Sequence, residues 1–205
     1  MVRVSATLTC HDLTIRNGKR VVVDSFTWAC APPGVIWVTG SNGSGKSSLL
    51  QVIAGWRRAA AGTIRWADGA AAQLRYHAPA LTAPPSLQVG HFAGFVTRHA
   101  PTDHAAIHAL YPRSVGDHAL FGKLSTGEAK RLLLWALLCN GDGPLVLDEP
   151  YEHLARDAKA ALTAVLRDRA TRQLVIVATN QDVSAGEHDT TLHVDDARIG
   201  IANGR

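Results

Sequence analysis

The sequence predicts an α/β fold in which a mostly parallel sheet is joined by crossover helices. Apolar strands alternate with helices through the second half of the 205-residue chain, a pattern typical of parallel sheets. Short strands follow one another near the amino terminus, which predicts an antiparallel β subdomain. A helical subdomain is expected over about residues 80–139. The chain length and the 46% hydrophobic content favour one domain spanning residues 1–205.

The elements follow from hydrophobic periodicity and turn residues in chain order. The early strands are predicted near 4–9, 12–16, 21–29, 35–39, 63–66 and 73–77, with a helix over 48–54. A helical middle is predicted from about 86 to 139. After it come a strand over 144–148, a helix near 155–169, a strand over 173–178 and two short closing strands.

A glycine-rich loop separates the apolar run Val35–Thr39 from the helix that begins near Ser48. It fits the pattern G-x-x-x-x-G-K-[ST] between a strand and a helix. Its glycines let backbone N–H groups wrap phosphates, and the helix amino terminus adds partial positive charge. Lys46 is expected to reach the β- and γ-phosphates and Ser47 to hold Mg²⁺. The predicted nucleotide-binding residues are Gly40, Ser41, Asn42, Gly43, Ser44, Gly45, Lys46, Ser47 and Ser48.

A second motif is the short apolar strand before Pro150, which ends in two carboxylates, Asp148 and Glu149. This is the Walker B pattern. Asp148 is expected to bind Mg²⁺ opposite Ser47, and Glu149 to act as the general base on the attacking water. The alternative is a strand end with two solvated acids.

Between these motifs lies Leu124-Ser125-Thr126-Gly127-Glu128, followed by an apolar helix. The segment resembles the signature motif of ATP-binding cassette (ABC) proteins, usually Leu-Ser-Gly-Gly-Gln. The resemblance implies that Ser125 and Gly127 meet the γ-phosphate of a nucleotide held by the opposite subunit, so a second nucleotide-binding subunit is expected. Ser125 and Glu128 also fit a helix capping box, which is the alternative explanation.

The resemblance covers roughly residues 4–77 and 120–201. It implies a P-loop NTPase fold of the ABC type, with ATP and Mg²⁺ as ligands. Among ABC proteins, the short motifs are most similar to the ATPase subunit of the haem exporter of cytochrome c maturation. These motifs are Leu13-x-x-x-Asn17-Gly18-Lys19-Arg20, Ala54-Gly55, Ala61-Gly62-Thr63 and Trp66-Ala67-Asp68-Gly69.

The chain departs from the family at positions that the resemblance assigns to catalysis. Ala78 stands where the family has a glutamine that contacts Mg²⁺ and water, and Asn180 where it has a histidine. Ala155 replaces an aspartate that joins the two subunits. No aromatic residue for stacking on adenine occurs near Arg16 or Asn17, although an arginine face could stack instead.

These losses predict a site that holds ATP but hydrolyses it slowly. Asn180 can offer only a neutral hydrogen bond, whereas charge-assisted bonds are about twice as strong. Gln73 or Gln88 could replace the missing glutamine only if the loop is rearranged. The presence of Glu149 is evidence against a degenerate site, because this carboxylate can still act as the general base and so keeps slow hydrolysis possible.

Composition limits the other function classes. The net charge is a modest +4 and Arg57-Arg58 is a short basic cluster, so no nucleic-acid partner is expected. The 3 cysteines match no metal-ligand spacing. No run reaches the roughly 18 to 20 apolar residues of a membrane span. The expected location is cytoplasmic, on the inner face of the membrane through a partner.

A pair of histidines, His104 and His108, falls at i and i+4 on a probable helix, with His99 before them. That spacing allows either a solvated helix face or a metal or haem contact.

The sequence thus predicts the ATP-binding subunit of an ABC transporter, slowly hydrolysing Mg-ATP to drive export through a separate membrane permease subunit. Its site is expected to be partly degenerate, with Lys46, Glu149 and Asn180 as the catalytic residues. The alternative is a soluble ABC-type ATPase that acts as an ATP-dependent dimerisation switch. A kinase of the same loop class would leave the signature motif unexplained.

Overall fold

The computed structural model describes residues 8–100, 105–181 and 185–204. The chain divides into two compact units. The first comprises Met1–Tyr76, Gly143–Pro150 and Arg167–Arg205, and the second comprises His77–Asp142 and Tyr151–Leu166. The phosphate-binding loop and the Walker B carboxylates belong to the first unit, and the signature segment belongs to the second.

The first sheet is antiparallel and three-stranded, with the order β2-β1-β4. It consists of β1 (Leu8–Asn17), β2 (Arg20–Cys30) and β4 (Ala61–Trp66). The predicted break between strands near 4–9 and 12–16 was wrong, because β1 is continuous from Leu8 to Asn17. Residues 4–7 lie outside the described part of the chain. The pairing of β1 with β2 shifts register between Cys10 and Leu13, and Asp12 has φ of 50°. A bulge there interrupts the alternation of side chains without ending the strand.

The second sheet is six-stranded, with the order β5-β6-β7-β3-β8-β9. Its strands are β3 (Val35–Thr39), β5 (Arg75–His77), β6 (Leu145–Asp148), β7 (Val175–Ala178), β8 (Thr190–Asp195) and β9 (Arg198–Asn203). Strand β3 pairs in parallel with β7 and β8, and β6 pairs in parallel with β7. Consequently the segments that follow β3, β6 and β7 leave the sheet at the same edge, which is where ligands bind in open α/β sheets.

The helices are α1 (Lys46–Ile53), α2 (Val89–His99), α3 (Ala105–His108), α4 (Thr126–Cys139) and α5 (Arg156–Ala170). Single 3₁₀ segments cover Ala67–Gln73 and Phe121–Lys123. The predicted helical middle over about 86–139 contains α2, α3 and α4. Pro84, Pro85 and Pro112 lie outside these helices, because proline lacks the N–H that a helix interior requires. In the second unit, Val89, Phe121 and Leu132 form a small apolar core.

Among the described residues, no helix combines the length and the apolar character that crossing a membrane requires.

A buried carboxylate anchors the start of β3 in the first unit. Asp189 is 4% exposed. It accepts hydrogen bonds from the Val35 N–H and the Trp37 indole, both at 2.9 Å, and from the Gly186 N–H at 2.8 Å. The Nη1 atom of Arg167 lies 3.3 Å from Oδ2 of Asp189. Burial would raise the pKa of Asp189, but these donors and the Arg167 charge together lower it below its ordinary value. The charged form is therefore the one that the fold stabilises.

Replacing Asp189 with asparagine is expected to destabilise the protein by about 3 kcal/mol at pH 7, because one of its donors would face an amide NH₂. The folded pKa lies below the unfolded value, so this stabilisation is present above about pH 4 and disappears as pH falls through the folded pKa. Urea unfolding at pH 7 and pH 3 measures the difference, with the exposed Asp195→Asn on β8 as the control. A gap between wild type and Asp189→Asn that stays the same at both pH values contradicts the prediction.

Candidate functional site

The loop between β3 and α1 has the backbone that phosphate binding requires. Gly40 and Gly45 have φ of 140° and 122°, values that residues with a Cβ rarely adopt. A Cβ on Gly40 would collide with the carbonyl oxygen of Val194, and one on Gly45 would lie 3.0 Å from Val22. Helix α1 begins at Lys46 with no acidic residue in its first turn, so nothing there opposes an anion.

Lys46 lies at the centre of a polar cluster in the first unit. It is 6% exposed, and its ammonium donates to the carbonyls of Gly40 at 2.8 Å and Ser41 at 3.1 Å, and to Asn180 Oδ1 at 2.6 Å. Burial lowers the pKa of Lys46, while the charges of Glu149 and then Asp148 oppose that shift. The sequence separation between Lys46 and Asn180 is 134 residues, so only the parallel sheet brings them together.

Asn180 joins three elements of this cluster. Its Nδ2 donates to Asn42 Oδ1 at 2.7 Å, and its backbone N–H donates to Glu149 Oε2 at 3.2 Å. The orientation of its amide is fixed, because an ammonium can only donate and the atom facing Lys46 must be the oxygen. Asn180 therefore occupies the place at which the family resemblance expects a histidine, and it contacts both the phosphate loop and the predicted general base.

The two Walker B carboxylates differ in environment. Asp148 is 0% exposed at the end of β6. Next to it, the Tyr76 hydroxyl has its pKa raised, first by burial and then by the charge of Asp148. Glu149 has φ of 46°, and its N–H donates to the carbonyl of Ala178 at 2.9 Å. The bend at Glu149 turns its side chain toward the segment after β7, where it meets Asn180.

The arrangement fits a nucleotide and its metal ion. The glycine loop leaves room where a Cβ would collide, and the Ser44 hydroxyl is 5% exposed with no hydrogen-bond partner among the described residues. Ser47 lies exposed in the first turn of α1. Hydroxyl and carboxylate oxygens are the ligands that Mg²⁺ prefers. The described residues contain no separate group of three or more His, Cys, Asp or Glu side chains that could hold a metal ion.

The signature segment forms a capped helix start in the second unit. Ser125 caps α4 and accepts from the Glu128 N–H at 3.3 Å, and the Glu128 carboxylate accepts from the Ser125 hydroxyl at 2.7 Å and from its N–H at 2.9 Å. These bonds lower the pKa of Glu128. A Cβ on Gly127 would lie 2.7 Å from the carbonyl of His153. The capping box is therefore present. The contact of Ser125 and Gly127 with the nucleotide of a partner subunit stays a prediction.

The structure also locates the substituted positions. Gln73 packs beside Gly143, which precedes β6, whereas Asp148 ends β6. Gln73 thus lies at the opposite end of this strand from the carboxylates and cannot replace the missing glutamine. Ala78 directly follows β5 and Ala155 directly precedes α5. Gln88 is the residue before α2, in the second unit. His104 lies outside the described residues, so the i, i+4 histidine pair stays a prediction.

Sequence reasoning missed a second polar cluster, on Asn17 at the end of β1. Arg57 donates from Nη1 to Asn17 Oδ1 at 2.6 Å and to the Ser48 hydroxyl at 3.3 Å, and from Nη2 to the carbonyl of Arg16. Ser48 also donates to Asn17 at 3.1 Å. In the sequence Arg57 was only half of a short basic pair. The one sequence signal for its role was its position two residues after Gly55, close to the carboxyl terminus of α1.

This geometry agrees with comparisons to known proteins. The family model described as "ABC transporter" matches residues 23–152. The chain belongs to the ABC transporter family. More specifically, it is an ABC ATP-binding domain, with the antiparallel sheet, mixed sheet and helices of that fold, so the predicted fold class is confirmed.

Two relatives and one solved structure illustrate the similarity. The zinc import ATP-binding protein ZnuC of Cereibacter sphaeroides is 29% identical, over 86% of this chain and 73% of its own length. The cytochrome c biogenesis ATP-binding export protein CcmA of Rhodospirillum rubrum is 30% identical, over 85% of this chain and 80% of its own length. The solved ATP binding subunit of an ABC transporter superposes with a TM-score of 0.75 at 16% identity, covering 96% of this chain and 89% of that one. At that identity the last similarity shows the fold alone.

Proposed function

We propose that this ABC protein is the ATP-binding subunit of a transporter, binding Mg-ATP in the first unit and hydrolysing it slowly. The observation that carries the proposal is the convergence of Lys46, Asn42, Glu149 and Asn180 at one edge of the sheet. Phosphoryl transfer depends mainly on such positioned charges and hydrogen bonds. Bound ATP supplies the transferable γ-phosphoryl group, and Mg²⁺ would neutralise charge between its phosphates.

Each residue has a distinct role in the proposal. The nine residues from Gly40 to Ser48 hold the phosphates, with Lys46 directed at the γ-phosphate. Ser47 and Asp148 hold Mg²⁺. Glu149 accepts the proton of the attacking water, since its carboxylate borders the same cluster. Asn180 positions Glu149 through its backbone N–H and presents a neutral side chain to the phosphate, which is the reason that we propose slow turnover.

The proposal extends to a two-subunit site, as the resemblance of the signature segment implies. Ser125 and Gly127 would meet the nucleotide of a second nucleotide-binding subunit, in a homodimer or a heterodimer, and a heterodimer would let the partner carry faster hydrolysis. Ala155 weakens the contact between subunits in this proposal because a methyl group offers no hydrogen bond.

The test of the degenerate site is the variant Asn180→His. It is expected to raise ATP hydrolysis by about tenfold, since imidazolium can give the γ-phosphate a charge-assisted bond. Phosphate release is measured for the purified chain, alone and with the membrane fraction that co-purifies. The control is Asn203→His, on exposed β9. Rates usual for the family in the wild type, unchanged by Asn180→His, would contradict the degenerate site.

A separate integral membrane subunit is the proposed partner, which would place this chain at the inner face of the membrane. In the second unit, α2 and α4 border an apolar groove of about 300 Å³, next to which Phe95 is 61% exposed. The subfamily resemblance and CcmA support export, while the name of the ZnuC relative supports import. Co-purification of a multi-span membrane protein with the tagged chain would support the transporter, and its absence would favour the soluble dimerisation switch.

A further inference from the structure

The cluster around Arg57 lies on the side of α1 away from the γ-phosphate residues. Lys46 bonds Asn180, which in turn bonds Glu149. Ser48 is two residues further along α1, and successive helical residues are rotated by about 100°. Its side chain therefore points to the other side of the helix, where it bonds Asn17. This second side of α1 is therefore separate from the place proposed for the γ-phosphate.

The hydrogen bonds of Arg57 hold its guanidinium by its edge. Two of its nitrogens donate to Asn17, to Ser48 and to the carbonyl of Arg16. Guanidinium N–H groups point outward in the plane of the group, so these bonds use its edge and not its flat faces. The side chain is partly exposed. Arg57 thus presents a fixed, planar cation beside the phosphate-binding loop.

We propose that Arg57 is the base-stacking residue of the nucleotide site, with Asn17 and the Arg16 carbonyl holding its plane. No aromatic residue lies at Arg16 or Asn17, and an arginine face attracts the π-system of a purine. The backbone of Arg16 and the side chain of Asn17 position the guanidinium, and only Arg57 contacts the base. This inference rests on the proposed binding of ATP in the first unit.

The test compares a ligand that has a base with one that lacks it. Dissociation constants of Mg-ATP and Mg-tripolyphosphate are measured by calorimetry on the full chain, for wild type, Arg57→Ala, Arg57→Lys and the adjacent exposed Arg58→Ala. Arg57→Ala is expected to weaken ATP by about tenfold and tripolyphosphate by less than about twofold. Arg57→Lys is expected to behave in the same way, because it keeps the charge and loses the plane. Arg58→Ala is expected to bind both as wild type does.

Four results would overturn the proposal. Equal weakening of both ligands by Arg57→Ala would make Arg57 a phosphate contact or a structural residue, and thermal melting separates those two. Recovery of ATP binding in Arg57→Lys would show that charge alone acts. Unchanged ATP affinity in Arg57→Ala would remove the role of Arg57 and leave the proposed function intact, whereas a wild-type chain that binds neither ligand would overturn the proposed function with it.

Discussion

Glu149→Gln is expected to lower the rate of ATP hydrolysis on the order of a hundredfold while Mg-ATP affinity changes by less than about threefold. The amide keeps the size of the side chain but cannot accept the proton of the attacking water. The acceptor atom that bonds the Asn180 N–H, Oε2 at 3.2 Å, can be replaced by the amide oxygen, so the local structure is expected to persist. Single-turnover release of labelled phosphate measures the rate even when it is slow.

The matched control is Glu187→Gln, an exposed carboxylate in the loop before β8. It is expected to hydrolyse ATP as wild type does. Turnover that Glu149→Gln leaves unchanged would mean that the measured hydrolysis does not use this carboxylate. The chain would then be a nucleotide-binding subunit that depends on a catalytic partner.

Lys46→Ala is expected to raise the dissociation constant of Mg-ATP by about a hundredfold or more. Charge-assisted bonds to a phosphate are the strongest that the loop can offer, at about 1.5 to 3 kcal/mol each, and Lys46 is 6% exposed. Its removal also leaves the carbonyls of Gly40 and Ser41 without their ammonium donor. Calorimetric titration with Mg-ATP measures the loss.

Two controls accompany this variant. Lys123→Ala removes an exposed lysine of the 3₁₀ turn before α4 and is expected to bind ATP as wild type does. Thermal melting shows whether Lys46→Ala is folded. This check is needed because the hydrogen bond from Lys46 to Asn180 also joins the segment after β3 to the segment after β7. A folded Lys46→Ala variant that keeps wild-type affinity for ATP would exclude the loop as the triphosphate site.

Local sequence was sufficient for the elements around the site. The loop from Gly40 to Gly45 requires positive φ at set positions and a helix start directly after it, at Lys46, so its motif predicted both neighbours. The strand of Asp148 and the helix start at Ser125 were predicted for the same reason, because short-range hydrogen bonds and periodicity determine them. The family assignment followed from the order of these motifs.

Other features depended on contacts that no local pattern encodes. The bulge near Asp12 disrupts alternation within one strand, so β1 was divided in the prediction. Pro112 marked one break within the predicted helical middle, but the bounds of α2, α3 and α4 also depend on packing that apolar periodicity does not specify. From the sequence alone Gln73 is a possible substitute for the missing glutamine, but its position beside Gly143 places it at the opposite end of β6 from Asp148.

The sequence by itself determined the phosphate loop, the carboxylate pair and the family, because each depends on residues that are adjacent in the chain. Only the tertiary structure decided that Asn180 bonds both Lys46 and Asn42, and that Arg57 lies edge-on against Asn17 beside Ser48. Those contacts join residues separated by 134, 138 and 40 positions. Their geometry is set by the order of strands in the two sheets and the side of α1 on which each residue falls, which no single stretch of sequence specifies.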